Sequence, residues 1–555
     1  MKLRDEYAGR ALSQIPRLLS LLDRNEFSPT YGSFQRTFWL DKSDDFVNAL
    51  PQYGVISLAL VYSYKMPGNI YYGEEKIKRW AIASMNYWVK IQHKDGSFDE
   101  FYPNEHGWAG PTGFLLYAMV ESFKLIGDGM NPKERDQLFR ACHKAAIFLG
   151  KYDEKGILAN HHAMAILPIY ATYTLLKDGD LLKLAKDKLK FFYTLVSDEG
   201  WSLEYDGPDM GYLSATVSFL AKLHKLGYRD EKLVKVIKKS IEFSSYFVYP
   251  NGYYAGSMGS RQTLHFYSHG YELFAREMPL AAVIAQKMLL SLGEGKLVPP
   301  EIQADRYFLY RIPEYLLSYI DYASNSKVTL LPYEGKDFSK YFYDSKVFVQ
   351  KKGKCYILIN LAKGGVIKIF NGNKLIYNDN GIILSIGGKT ATTQWINKKY
   401  KFNLCENLIQ VKGKLTILPS KVFTPYKGLI FRSVMLTLGS NTKMSYLLKG
   451  IIRNLIIFGN KEVDIHFLRT INFIGEDKIK VMDIITNQTR KGIKKVKIGD
   501  EFFVRYVPQS LYFQKEELNI KGYYLDASEL KKLSRFGRIT LERIIYTSSG
   551  AVIFN

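Results

Sequence analysis

From residue 45 to residue 320 apolar positions recur every three to four residues, the period of an α-helix, with short polar or Gly/Pro segments between. The pattern predicts helices over 46–64, 75–93, 112–126, 132–149, 161–176, 181–195, 211–226, 230–247, 269–292 and 307–322. About ten helices of ordinary length joined by turns read as an up-and-down run of helical hairpins. Their spacing, ~40–50 residues per pair, is that of stacked helix pairs, and closure into a ring follows only from element order.

The period changes near residue 330. From Lys346 onward come short alternating or β-branched runs, such as KVFVQ, CYILINL, GGVIKIF, GIILSIGG and LIQVKGKLTIL. GLIFRSVMLTL, RNLIIFG, VDIHFLRTINFI, KIKVMDII and EFFVRYV continue the series, each bounded by Gly, Asn, Lys or Asp. No helical stretch separates them, so parallel βαβ units are excluded and a large antiparallel β-sandwich is expected. The chain thus divides into a helical domain over 1–325 and a β domain over 326–555, an α+β multidomain protein with its hinge in 299–332. At 555 residues, one core is too few in any case.

Charge sharpens this division. Of 77 Lys+Arg and 54 Asp+Glu, residues 331–555 hold 38 and 17, a net of +21; the rest, 39 against 37, nets +2. A basic domain attracts polyanions: nucleic acid, an anionic membrane surface or an acidic glycan. Its plain alternative is a lysine-rich solubility surface. Three scattered cysteines, Cys142, Cys355 and Cys405, exclude a disulfide framework and a thiolate zinc site. The first residues lack an apolar leader, and no segment is long enough to span a bilayer, so a cytoplasmic protein is expected.

Three loops between helices concentrate chemistry. Residues 94–108 carry Asn104, Glu105, His106 and Trp108; residues 198–212 carry five carboxylates with Trp201, Glu204, Tyr205 and Tyr212; residues 159–163 read Ala-Asn160-His161-His-Ala at the opening of an apolar helix. A fourth segment, 261–269, holds Arg261, His265 and His269. Acids and aromatics on one rim suit sugars, whose rings stack on aromatics and whose hydroxyls bond carboxylates. Each loop also has a plain structural reading: Asn160 sits at an N-cap-like position, and Asp209 fits a helix cap.

The runs FSPTYGSFQRTFWLDK, DGSFDEFYPNEHGW, ILANHHA, EGWSLEYDGPDMGYLS, GSRQTLHFYSHGYELFA and NDNGIILSIGGKTATTQW together resemble the heparinase II/III-like proteins, in the same order along most of the chain. That resemblance implies an incomplete (α/α) toroid followed by an antiparallel β-sandwich, and a polysaccharide lyase or lyase-like protein linked to surface glycans. It implies that Asn160 and His161 hold a uronate carboxylate and that Tyr212 serves as base or acid. His265 joins them as a candidate catalytic residue, while Asn104, Glu105, Trp108, Trp201, Glu204, Tyr205, Arg261 and His269 are the candidate substrate contacts. β-Elimination suits these residue types. With the C6 carboxylate neutralised by an amide and an imidazole, the C5 proton becomes acidic enough for Tyr or His to remove, and a phenol can protonate the departing O4. A Tyr near its ordinary value of about 10 is a poor base at neutral pH, so Arg261 or His265 must depress it.

The expected partner is an acidic polysaccharide or oligosaccharide. No cofactor is expected, and no metal, since His466 is the one histidine of the β half. Two other readings compete: a glycan-binding or assembly protein without turnover, and a toroid-type glycoside hydrolase pairing Glu204, Asp206 or Asp209 with Glu100 or Glu105. A nucleic-acid role rests on charge alone and ranks last, because no recognition motif accompanies it.

Overall fold

A computed structural model describes residues 2–106, 109–152, 158–323, 329–418, 424–456, 461–489, 491–499, 512–514, 518 and 522–554. Its helical part is a double ring. Val55–Ser63, Ala109–Ile126, Ala159–Leu176, Met210–Lys225, His269–Phe274 and Arg311–Ile320 form the inner ring. Each packs on the next, and Arg311–Ile320 packs back on Val55–Ser63. Val55–Ser63, Ala109–Ile126 and Ala159–Leu176 are apolar nearly all round, as helices with neighbours on every side must be.

The outer helices Glu75–Lys90, Pro132–Lys151, Gly179–Phe192 and Glu231–Ser245 instead bury one face and keep a charged face in water. Pro279–Gly293 continues that layer. Asp5–Leu12, which the periodicity reading left out, completes it by packing against both Pro279–Gly293 and Arg311–Ile320. The two ends of the helical part are therefore laced together, with Tyr7 Oη donating to Glu272 at 3.0 Å in the interior.

Several expected helices are shorter. The 46–64 stretch contains a 3₁₀ turn, Leu50–Gly54, before the helix proper begins at Val55. The 269–292 stretch breaks at Met278, which is extended because Pro279 follows and disfavours the α conformation. The 307–322 stretch divides into Asp305–Phe308 and Arg311–Ile320.

Five strands over 338–379 form an antiparallel meander, and ten more form a second antiparallel sheet. The meander has two cores. In Val347–Lys352 and Cys355–Asn360, Val347, Val349, Tyr356 and Leu358 join the toroid's core, while Phe348, Ile357 and Ile359 join the core shared with the second sheet. A two-residue period with both faces buried explains why CYILINL reads as almost continuously apolar. Between the sheets, Arg469 and Arg543 are bridged by Asp379 and Asp483, all four buried.

Two runs expected as strands are helices. GLIFRSVMLTL lies in Pro425–Thr437 and the first residues of RNLIIFG in Thr442–Ile456. A contiguous apolar run does not discriminate the two forms, and Pro425 in the first turn favours the helix. The EFFVRYV run and the boundary at 325/326 lie outside the described residues.

Candidate functional site

Inner helices begin at Ala109, Ala159, Met210 and Arg311, and their first turns converge with the loops that feed them. Asn160 is not the cap of its helix; Leu158 is, and it makes no side-chain cap bond. Capping comes instead from Glu204, 44 residues away. Its two carboxyl oxygens accept the Asn160 backbone N–H at 2.6 Å and Nδ2 at 2.7 Å. Leu158 also bridges to Glu204 through the backbone. Burial pushes the Glu204 carboxyl up to about 8 against the pull of those two donors. His161, half-buried, lies near enough to lower both Glu204 and the buried Glu100, whose carboxyl burial raises to about 7. A Cβ on Gly110 would stand 3.1 Å from the His161 ring, so glycine there lets the ring pack close against the first turn of the Ala109–Ile126 helix.

Glu204 sits on a two-residue hairpin, Leu203–Glu204 paired with Gly207–Pro208. At its tip Tyr205 adopts φ 62°, an uncommon conformation for a non-glycine residue, and the Arg261 guanidinium lies 3.5 Å over its ring. Tyr212 follows, its ring 6.3 Å from that of Tyr205 and 5.6 Å, edge to face, from His265. Beyond His265 the stack continues to Tyr267 at 5.2 Å, with Arg311 4.4 Å over the Tyr267 ring. His265 and Arg311 are each 1 % exposed, and none of their side-chain nitrogens makes a hydrogen bond of full geometry among the described residues.

The electrostatics correct one expectation. Burial, then the neighbouring Tyr205, Glu204 and Asp209, push the Tyr212 phenol well above its ordinary range. Arg261 pulls on Tyr205 instead. Burial and then Arg311 hold His265 far below its ordinary value, so its imidazole is neutral. The site therefore contains a protonated phenol beside a neutral imidazole, and no depressed tyrosine.

The β domain supports this arrangement from beneath. Lys363 Nζ donates to the carbonyls of Ser257 and Gly259 at 2.7 and 2.8 Å, and Asn360 Nδ2 donates to Met258 O at 2.7 Å. The loop so held places Ser260 Oγ on Glu204 O at 2.8 Å and Arg261 N on Asp209 Oδ2 at 3.0 Å. A Cβ on Gly259 would meet that same Asp209 oxygen at 2.6 Å. Trp395 contributes an aromatic wall 6.0 Å from the Arg261 guanidinium.

Asn160, His161, Glu204, Tyr205, Tyr212, Arg261 and His265 thus share one cluster. Other expected contacts stand elsewhere. Glu105 is buried and accepts the backbone N–H groups of Glu100 and Phe101, at 3.0 and 2.8 Å, so it braces its own loop. Asn104 bonds Met435 and Ser445 of the β domain. Trp201 donates to Glu199 and lines a different cavity, of about 470 Å³, between the domains. His269 lies 1 % exposed on Asp321 at 2.7 Å, in a structural charge network with Glu314, Lys222 and Lys225. His269 opens its helix four residues beyond His265 and is seated on Asp321 there. Trp108 lies outside the described residues. His466 pairs with Asp464 on a central strand of the larger sheet, where its side chain is 37 % exposed. Among the described residues no three His, Cys, Asp or Glu side chains stand where they would hold a metal ion.

Arg311, Tyr267, Lys363 and Trp395 escaped the sequence reading. For Arg311 a signal existed: a cation in the first turn of a helix opposes the macrodipole and needs another reason to be there.

Residues 69–270 match the family model described as the ulvan lyase N-terminal domain. Among solved structures, heparinase III is 12% identical, with a TM-score of 0.45 over 90% of this chain and 72% of that one. A mutant heparan sulfate lyase from Pedobacter heparinus is 11% identical (TM-score 0.43, 89% and 70% covered). A mutant chondroitin AC lyase from Streptomyces coelicolor is 10% identical (TM-score 0.49, 90% and 70% covered). A search of curated proteins finds no match. The chain is thus similar to heparinase-like polysaccharide lyases, and its toroid and paired sheets are evident from its own elements.

Proposed function

We propose, from a helical half similar to the ulvan lyase N-terminal domain, that this protein cleaves an acidic, uronic-acid-containing glycan by β-elimination at the Asn160–Tyr212 cluster. The observation that carries the reading is the pairing of a protonated Tyr212 phenol with the neutral His265 imidazole, 5.6 Å apart ring to ring, beside an oriented Asn160 amide.

In this reading Asn160 and His161, with Arg261 and Arg311, hold the substrate carboxylate and share the charge that develops on it. His265 takes the C5 proton as the C5–H electrons become the C4=C5 double bond. The C4–O4 bond breaks and the departing oxygen takes the Tyr212 proton. Raised by burial, the phenol is suited to the donor role and unsuited to the base role. An incoming carboxylate strengthens the neutral imidazole as a base, because a nearby anion favours its protonated form.

Hydrolysis is disfavoured for three of its five candidate carboxylates by where they point. Asp209 caps the Met210–Lys225 helix through Tyr212 N at 3.1 Å and also holds Arg261 N. Glu105 and Glu204 are likewise committed to backbone N–H groups. Mass detection of products from a panel of uronic-acid polymers tests the proposal. Unsaturated ends are expected; saturated ends would establish hydrolysis, and binding without new ends would establish a non-catalytic receptor.

A further inference from the structure

Between the paired strands Leu408–Ile417 and Lys461–Ile474 the β domain inserts a helical hairpin, Pro425–Thr437 and Thr442–Ile456. Adjacent antiparallel strands need only a short turn, so the insertion calls for its own explanation. It rests on the loop that carries Asp95 and Asn104, and on Asp45. Tyr446 Oη donates to Asp95 at 3.1 Å, Asn104 Nδ2 donates to Met435 O at 3.1 Å, and Arg432 pairs with Asp45 at 3.0 Å.

The hairpin has apolar side chains on both faces. Inward it buries Met435, Ser445 and Lys449, the last 3 % exposed with its ammonium 4.9 Å over the Tyr152 ring, and packs Phe431 against Tyr102. Outward it presents Tyr426, Leu429, Ile430 and Leu436 from one helix, 81, 69, 67 and 56 % exposed, and Leu447 and Ile451 from the other, 57 and 49 % exposed. Positions 426, 429, 430 and 436, like 447 and 451, fall on one helical face each. Soluble monomers rarely leave so many large apolar side chains bare together.

The surrounding charge favours one occupant. Between Glu406 and Glu462 the sequence contains nine Lys and Arg and no acidic residue. Of those described on the hairpin, Lys427 and Lys443 are exposed, Lys449 is buried and Arg432 pairs with Asp45. A two-fold contact between copies would set basic faces such as those of Lys427 and Lys443 against each other without a counter-charge. Anionic lipid headgroups supply that charge and also receive the apolar face. At 13 and 15 residues the helices are too short to span a bilayer, and among the described residues no helix is long and apolar enough to do so.

We propose that this hairpin docks the protein on an anionic membrane surface. The inference stands on the hairpin alone and does not require the lyase reading.

Co-sedimentation of the full chain with vesicles tests it, using phosphatidylcholine with and without phosphatidylglycerol. Binding is expected to the anionic vesicles and to fall with added salt. A triple variant, Leu429→Ser, Ile430→Ser and Leu447→Ser, keeps every charge and every inward contact named above; it is expected to lose at least ~10-fold in partitioning with an unchanged Tm. Equal partitioning of variant and parent would show that charge alone binds, and would overturn the proposal. So would absence of vesicle binding together with a dimer that the triple variant converts to monomer in sedimentation velocity.

Discussion

Asn160 and Glu204 are bonded twice, backbone N–H to one carboxyl oxygen at 2.6 Å and side-chain amide to the other at 2.7 Å, with both residues out of solvent. The Asn160 amide is therefore aimed by a hairpin from the next helical junction, and its geometry depends on a carboxyl that burial holds near 8.

That carboxyl predicts a pH dependence. Its folded value, about 8, lies above its ordinary 4.5, so the folded state binds the proton more tightly than the unfolded state does. Stability is then greatest below 4.5 and falls as pH rises toward 8. Glu100 and Glu272, each near 7, and Asp209, near 6, act in the same direction. His265 and His269, held below their ordinary value, act oppositely below about 6.5. Thermal melts between about pH 5 and about pH 9 are therefore expected to show a Tm that falls less, or rises more, with pH in Glu204→Gln than in the parent. Identical slopes in the two proteins would remove Glu204 as a source.

Tyr212→Phe deletes only the proton donated to the leaving oxygen. Turnover is expected to drop by at least ~10²-fold with KM nearly unchanged. Melting temperature should shift little, since the phenol is half-buried and the ring remains. If turnover of unsaturated product stays within a small factor of the parent, Tyr212 is not the acid.

Arg311 offers a test in which stability and binding move apart. A buried guanidinium lacking a hydrogen-bonded counter-ion is costly, and an apolar replacement of similar volume relieves that cost. Arg311→Met is expected to melt at or above the parent temperature while its affinity for an acidic oligosaccharide falls by ~10-fold or more. Calorimetric titration reads the second quantity. A large fall in Tm with affinity intact would make Arg311 structural.

In the β domain the opposite holds. Asp483 accepts from Arg469 Nε at 2.7 Å and from Arg543 Nη1 at 2.7 Å, so deleting it leaves two buried cations underpaired. Asp483→Ala is expected to cost ~3–5 kcal/mol, read as a lowered denaturant midpoint. Activity per folded molecule should be unchanged, because among the described residues the Asp483 carboxylate bonds only the side chains of Arg469 and Arg543. Reduced activity at full folding would link the sheets to the site.

The candidate site was legible in the sequence as a set of loops and only partly as a set of contacts. Asn160 stands out because a polar residue opening an apolar helix is informative by type and place, whereas Tyr212 and Arg261 are pointed to by the family resemblance of their segments. His269 looked equivalent to His265, four residues before it, yet it opens its helix and is seated on Asp321 there. Glu105 looked like a rim acid and instead satisfies two backbone N–H groups. Composition does not reveal which carboxylates the backbone has already claimed.

What the sequence determined by itself is the type of most elements and their broad division. Helical period up to residue 320, two-residue period in the strands, charge gathered in the second half and the acid-free stretch at 407–461 are all local properties. Tertiary structure alone decided that the N-terminal helix completes the outer ring, that Glu204 caps a helix 44 residues upstream, and that Lys363 of the β domain steadies the Arg261 loop. It also decided that two apolar runs become an exposed helical hairpin. The reason is physical: periodicity reports which side of an element avoids water, whereas the partner that meets it follows from burying every apolar face and bonding every buried polar group at once.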